Sequence, residues 1–103
     1  MYVTIRQYEG VDVDAVKRMA QGRADNEGMV ALASEFPGFV AYFLVDTEDG
    51  GLLAISAYLG EAEAMASTET AAEYVRENLG SVVPNPPRLL AGEVLTSRIT
   101  SGE

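Results

Sequence analysis

Apolar and polar positions alternate from the first residues of the chain. In residues 2–8, YVTIRQY, Tyr2, Thr4, Arg6 and Tyr8 fall on one face and Val3, Ile5 and Gln7 on the other. That period of two predicts a first strand, which Gly10 ends. The period then lengthens. Val13, Val16 and Ala20 share a helical face, with Asp12 placed to cap the helix and Asp14 in its first turn, where the helix dipole favours an acid. Gly22 and Gly28 bracket RADNE and predict a break; the helical pattern resumes through Met29, Val30 and Ala33 and stops before Pro37.

Two apolar runs follow, about 38–47 and 51–59, on either side of Asp49-Gly50, a pair suited to a two-residue hairpin turn. Beyond Gly60 an Ala/Glu-rich helix begins over Glu61–Ala66. Ser67-Thr68 is expected to interrupt it, and Thr70 with Glu73 reads as a second capping box. Ala71, Val75 and Leu79 line one face of the continuation, and Gly80 suits its end. VVPNPP is an extended loop, a last strand is expected over about 88–98, and the terminal TSGE should fray. The order β-α-β-β-α-β is that of an α+β, ferredoxin-like domain spanning residues 1–103: a four-stranded antiparallel sheet with helices on one face.

The hairpin strands are apolar on both sides. With a two-residue turn, Phe39, Ala41, Phe43 and Val45 share a face with Ala54, Ser56 and Tyr58. Val40, Tyr42 and Leu44 share the other with Leu53, Ile55, Ala57 and Leu59. A solvated antiparallel sheet shows polar residues at every second position, and neither face does. Two helices cover one side only, so a second copy of the chain is the simplest cover for the other and a symmetric homodimer is expected.

Composition narrows the partners. Sixteen acidic against seven basic residues leave a formal charge of −9, which repels phosphate backbones and anionic lipid surfaces; neither nucleic acid nor membrane is an expected partner. No run approaches the roughly 18 apolar residues of a membrane span, and the N-terminus reads as a strand rather than a signal peptide, so a cytoplasmic protein is expected. The chain has no Cys, hence no disulfide or thiolate metal site, and no His, which removes the commonest general base near neutrality and the commonest metal ligand. No Gly-rich phosphate loop is present.

PGF at 37–39, AYFLVD at 41–46, the Asp49-Gly50 turn, AISAYL at 54–59, the helix carrying AEAMAS and AAEYVREN, and AGEVL at 91–95 together resemble small bacterial proteins of the antibiotic-biosynthesis-monooxygenase-like group. That group belongs to the dimeric α/β-barrel superfamily, and the likeness runs from Met1 to Leu95. It implies two ferredoxin-like sheets facing each other, helices outside, and a small-ligand pocket in each protomer. The group includes cofactor-independent oxygenases of aromatic polyketides, haem-degrading enzymes, isomerases and binding proteins, and fold does not choose among them. Haem-degrading members are built around a Trp and an axial His, and this chain has neither.

Arg6 is the leading site candidate, central in the sheet with Thr4 and Tyr8 on its face. It can anchor a substrate carboxylate or phenolate, with Tyr8 and Tyr58 supplying hydroxyls. The plainer reading pairs it with Glu93 on the last strand, because buried charges are usually paired. Tyr42, Phe43, Ser56 and Tyr58 can line a pocket for a flat apolar or aromatic ligand; Phe43 is assigned to the core, while Ser56 and Tyr58 stay open. Asp46, Glu48 and Asp49 read as a solvated turn rather than a calcium loop, and Asp25-Asn26-Glu27 as a helix break rather than a metal site. Met19, Met29 and Met65 read as core filler. Neither a metal nor a cofactor is expected. The function expected is a dimeric small-molecule-binding domain, and the resemblance implies as its enzymatic form cofactor-independent monooxygenation of an aromatic or polyketide-like substrate. The alternative is a non-catalytic ligand-binding or structural assembly protein.

Overall fold

In the computed structural model of the chain, residues 1–22 and 29–99 are described, the side chains of 19–22 and 29–31 excepted. The elements run β1 (Tyr2–Tyr8), α1 (Val13–Gly22), α2 (Met29–Ser34), β2 (Phe39–Asp46), β3 (Leu52–Tyr58), α3 (Glu61–Asn78) and β4 (Arg88–Glu93). The four strands form one antiparallel sheet in the order β2-β3-β1-β4, the ferredoxin-like order with β1 and β3 at the centre. The Asp12 carboxylate accepts from the Ala15 N–H at 3.1 Å, the expected cap of α1. RADNE, the terminal TSGE and the side chains of Met19 and Met29 lie outside the described residues; Met65 is half-buried.

The hairpin register differs from the expectation by one residue. Tyr42 lies opposite Ser56, Phe43 opposite Ile55 and Leu44 opposite Ala54, and the backbone of Thr47 donates to Gly51. The loop is therefore Glu48-Asp49-Gly50, three residues rather than two, with both Glu48 (φ 66°) and Gly50 (φ 84°) in the left-handed region. Tertiary contacts account for the extra residue. The Gly50 carbonyl accepts from the Val11 N–H at 3.0 Å, and the Asp46 carboxylate accepts from the Glu48 N–H at 2.8 Å while pairing with Lys17 of α1 at 3.1 Å. A one-residue slip moves every side chain to the opposite face. Tyr42 and Leu44 consequently join Ala54, Ser56 and Tyr58, whereas Ala41, Phe43 and Val45 join Leu53, Ile55 and Ala57. A bulge between Phe39 and Ala41 leaves Phe39 beside Tyr58.

α3 is one uninterrupted helix of 18 residues, so neither the break at Ser67-Thr68 nor a second capping box at Thr70 exists. Ser67 donates to the Ala64 carbonyl at 3.0 Å, satisfying its hydroxyl within the helix. Ala64, Ser67, Thr68, Ala71 and Val75 form the buried face, which packs on β1 and β3. β4 is shorter than expected, ending at Glu93, and is exposed along its whole length.

The helices cover one face of the sheet. At the hairpin end of that layer an apolar cluster of Tyr8, Val11, Val16, Leu52, Val75 and Val83 closes the core. The opposite face carries Val3, Ile5, Leu53, Ile55, Phe43 and Leu90, and none of these is fully buried. Phe43 is 59% exposed, so its assignment to the core of the chain is corrected: the register slip turns it outward.

Candidate functional site

The alternation of β1 places Thr4, Arg6 and Tyr8 on the helix-covered face. There they meet Ser56 and Ala54 of β3, and across them Tyr42 and Leu44 of β2. α3 lays Ala64, Ser67, Thr68 and Ala71 over this face. Small and polar side chains thus occupy the middle of a layer that ordinarily holds Leu, Ile and Phe.

Arg6 is 1% exposed. Its Nη1 donates to the Tyr8 hydroxyl at 3.4 Å, a long contact, and its Cζ stands 5.9 Å from the Tyr8 ring centroid. Nε and Nη2 have no hydrogen-bond partner among the described residues, and the ion pairs found there, Lys17–Asp46 and Glu73–Arg76, do not involve Arg6. The expected Arg6–Glu93 pair is not formed. Glu93 is exposed and lies opposite Tyr2, four residues or about 13 Å along β1 from Arg6. A buried guanidinium without a carboxylate costs several kcal/mol, which a chain retains only for a reason.

Three more buried polar atoms lack partners: Thr4 Oγ1, Tyr42 Oη and Thr68 Oγ1. Native proteins leave few such groups, and here several share one helix–sheet layer. Burial raises the Tyr8 and Tyr42 hydroxyls above the ordinary phenol value, and the charge of Arg6 together with its closeness to both hydroxyls only partly offsets it. Neither phenol is therefore poised as a base near pH 7, and the Tyr8 hydroxyl accepts from Arg6 Nη1.

Tyr58 behaves differently. It is fully buried, its hydroxyl donates to the Ala33 carbonyl at 2.7 Å, and its ring takes Phe36 and Phe39 edge-on at 6.4 and 5.7 Å. Burial raises its ionisation as well, with the Ser67 contact and the Arg6 charge opposing. It ties α2 to the sheet. Ser56 is buried between Thr4 and Tyr42 in the register, inside the group around Arg6. The structure therefore brings Arg6, Tyr8, Tyr42 and Ser56 together, gives the Tyr58 hydroxyl a structural partner, and leaves Glu93 apart.

Thr68 was readable and missed. Positions 64, 67, 68, 71 and 75 have the spacing of one helical face, yet the Ser-Thr pair suggested a break instead. The turn carboxylates are engaged locally: Asp46 with Lys17 and the Glu48 N–H, and Asp49 with the Thr47 hydroxyl. An open hollow of about 340 Å³ beside them is lined by Tyr8, Glu9, Gly10, Thr47, Asp49 and Gly51; it shares Tyr8 with the group around Arg6 but does not include Arg6.

No protein-family model matches this sequence, and no curated protein matches it either. Solved structures do. A protein of unknown function from Nitrosomonas europaea superposes with a TM-score of 0.71 at 18% identity, covering 98% of this chain and 95% of that one. The ActVA-Orf6 monooxygenase of Streptomyces coelicolor, solved with nanaomycin D, gives 0.67 at 17% identity over 97% and 92%. The haem-degrader MhuD of Mycobacterium tuberculosis, solved with two haems in its active site, gives 0.64 at 18% identity over 95% and 99%. The chain has the ferredoxin-like α+β fold of the antibiotic-biosynthesis-monooxygenase-like proteins. At these identities the likeness is one of fold.

Proposed function

We propose that the protein is a homodimeric small-molecule-binding domain whose ligand sits between helices and sheet, against Arg6, Tyr42 and Ser56. The observation that carries this reading is the buried set of unpartnered polar atoms on Thr4, Arg6, Tyr42 and Thr68. The dimer rests on the open face: Val3, Ile5, Phe43, Leu53, Ile55 and Leu90 form a contiguous apolar surface across all four strands. Each large side chain is worth roughly 1.5–3 kcal/mol when covered. A second copy meeting this face sheet to sheet leaves both ligand sites on the outer, helix-covered sides.

The enzymatic form of this reading is cofactor-independent oxygenation of an aromatic or polyketide-like substrate, supported by the likeness to the monooxygenase that holds nanaomycin D. The substrate anion itself would react with dioxygen. Arg6 would hold the anion, the neutral tyrosines would donate to its oxygens, and the layer would exclude water. The alternative, a binding protein without catalysis, is favoured by one observation: with no histidine and with tyrosines shifted upward, the described site holds no base poised near neutrality. The haem reading fits poorly, since no imidazole is available as an axial ligand.

Native mass spectrometry of the purified protein tests the proposal. Expected is a mass about twice the 11.0 kDa chain, with a small molecule retained. A bare monomer at micromolar concentration refutes both halves. Dioxygen uptake with a dihydroxynaphthalene then separates oxygenase from binder.

A further inference from the structure

The two unpartnered nitrogens of Arg6 are Nε and Nη2. These form one edge of the guanidinium, where two N–H bonds point outward in parallel. The remaining nitrogen, Nη1, is the one turned to the Tyr8 hydroxyl. A side-on edge of this kind matches two oxygens held in one plane by a single carbon, the bidentate geometry of arginine with carboxylate. A lone oxygen of a phenolate or ketone fills only half of it.

Resting on the reading that the helix-covered face holds a small molecule, we propose that the ligand carries a carboxylate, bound through both oxygens to the Nε–Nη2 edge of Arg6. The protein's formal charge of −9 works against an anion in bulk, so selection has to come from this buried cation rather than from long-range attraction. Among the described residues no carboxylate side chain competes for that edge. The hydroxyls of Thr4, Tyr42 and Thr68, which have no hydrogen-bond partner, are available to the rest of the ligand.

The test is calorimetric titration with 2-naphthoate and its neutral counterpart 2-naphthamide, on the wild type, Arg6→Met and Arg6→Lys. Wild type should bind naphthoate at least about tenfold more tightly than naphthamide, the size of a charge-assisted bidentate contact. Arg6→Met should abolish that preference, and Arg6→Lys, which keeps the charge without the fork, should lose most of it. The ligand-free melting temperature of Arg6→Met should equal or exceed that of the wild type, because an uncompensated buried charge is gone. Equal binding of the two probes by wild type overturns the carboxylate inference and leaves the binding pocket standing. A naphthoate preference that survives in Arg6→Lys undiminished overturns the two-oxygen geometry. Failure of both probes at millimolar concentration overturns the inference and the pocket together.

Discussion

The middle of the covered face and the open face of this sheet contrast in an unusual way. The face hidden beneath the helices carries Thr4, Arg6, Tyr8, Tyr42 and Ser56, while the face left open carries Val3, Ile5, Phe43, Leu53 and Ile55. In a chain that buries its apolar surface and shows its polar surface to water, the assignment would be reversed. The contrast is what the proposed ligand and the proposed second copy would each resolve. Hydrophobic burial alone explains a covered apolar face, and hydration alone explains an open polar one. Neither explains a covered polar face or an open apolar one, and those two are what the proposed ligand and dimer address.

Placing charge on the open face should have the largest effect. Phe43→Glu with Ile55→Glu should weaken self-association by roughly a hundredfold or more, about 3 kcal/mol, seen as a shift from dimer to monomer in sedimentation. If the assembly is unchanged, the open face is not the interface. On the covered face, Tyr58→Phe leaves the Ala33 carbonyl only its long bond from the Phe36 N–H at 3.4 Å and should cost about 1 kcal/mol in denaturant unfolding. Its effect on naphthoate binding should be slight, since that hydroxyl serves the fold.

Thr68→Val sharpens the contrast from the other direction. The Thr68 hydroxyl has no partner, so removing it should leave the ligand-free protein unchanged or stabilise it by up to about 1 kcal/mol. A clear loss of stability would mean that the hydroxyl is satisfied in solution. The smallest effect belongs to Asp46, at the hairpin end of the covered face and away from Arg6. Its carboxyl is held below the ordinary value by the Glu48 N–H and then by Lys17. A depressed carboxyl contributes stability that is complete above its unfolded value and is lost as pH falls through the folded one. Asp46→Asn should therefore melt slightly below the wild type at neutral pH, and the gap should close as the pH is lowered through the acidic range. A gap that widens in acid would contradict this.

Much of the fold could be read from one-dimensional pattern. Alternation in YVTIRQY places Arg6 beside Thr4 and Tyr8, and the strand order puts β1 in the centre, both as the structure has them. The site could be read only in part. Glu93 was expected near Arg6 because opposite charges suggest pairing, yet the register of β4 against β1, which alternation does not specify, sets it opposite Tyr2. Ser67-Thr68 looked like a break because its hydroxyls compete with backbone, and only packing on the sheet shows them as the buried side of a continuous helix.

By itself the sequence determined the element types, the central place of Arg6, and the excess of apolar surface in the hairpin, because periodicity and composition are local properties that survive any register. Tertiary structure decided which side of the sheet each hairpin residue faces. The preference of Asp49-Gly50 for a two-residue turn gives way to a three-residue loop whose Gly50 carbonyl accepts from Val11 and whose Glu48 N–H is held by the Asp46 carboxylate. That single added residue turned Tyr42 inward to the site and Phe43 outward to the open face.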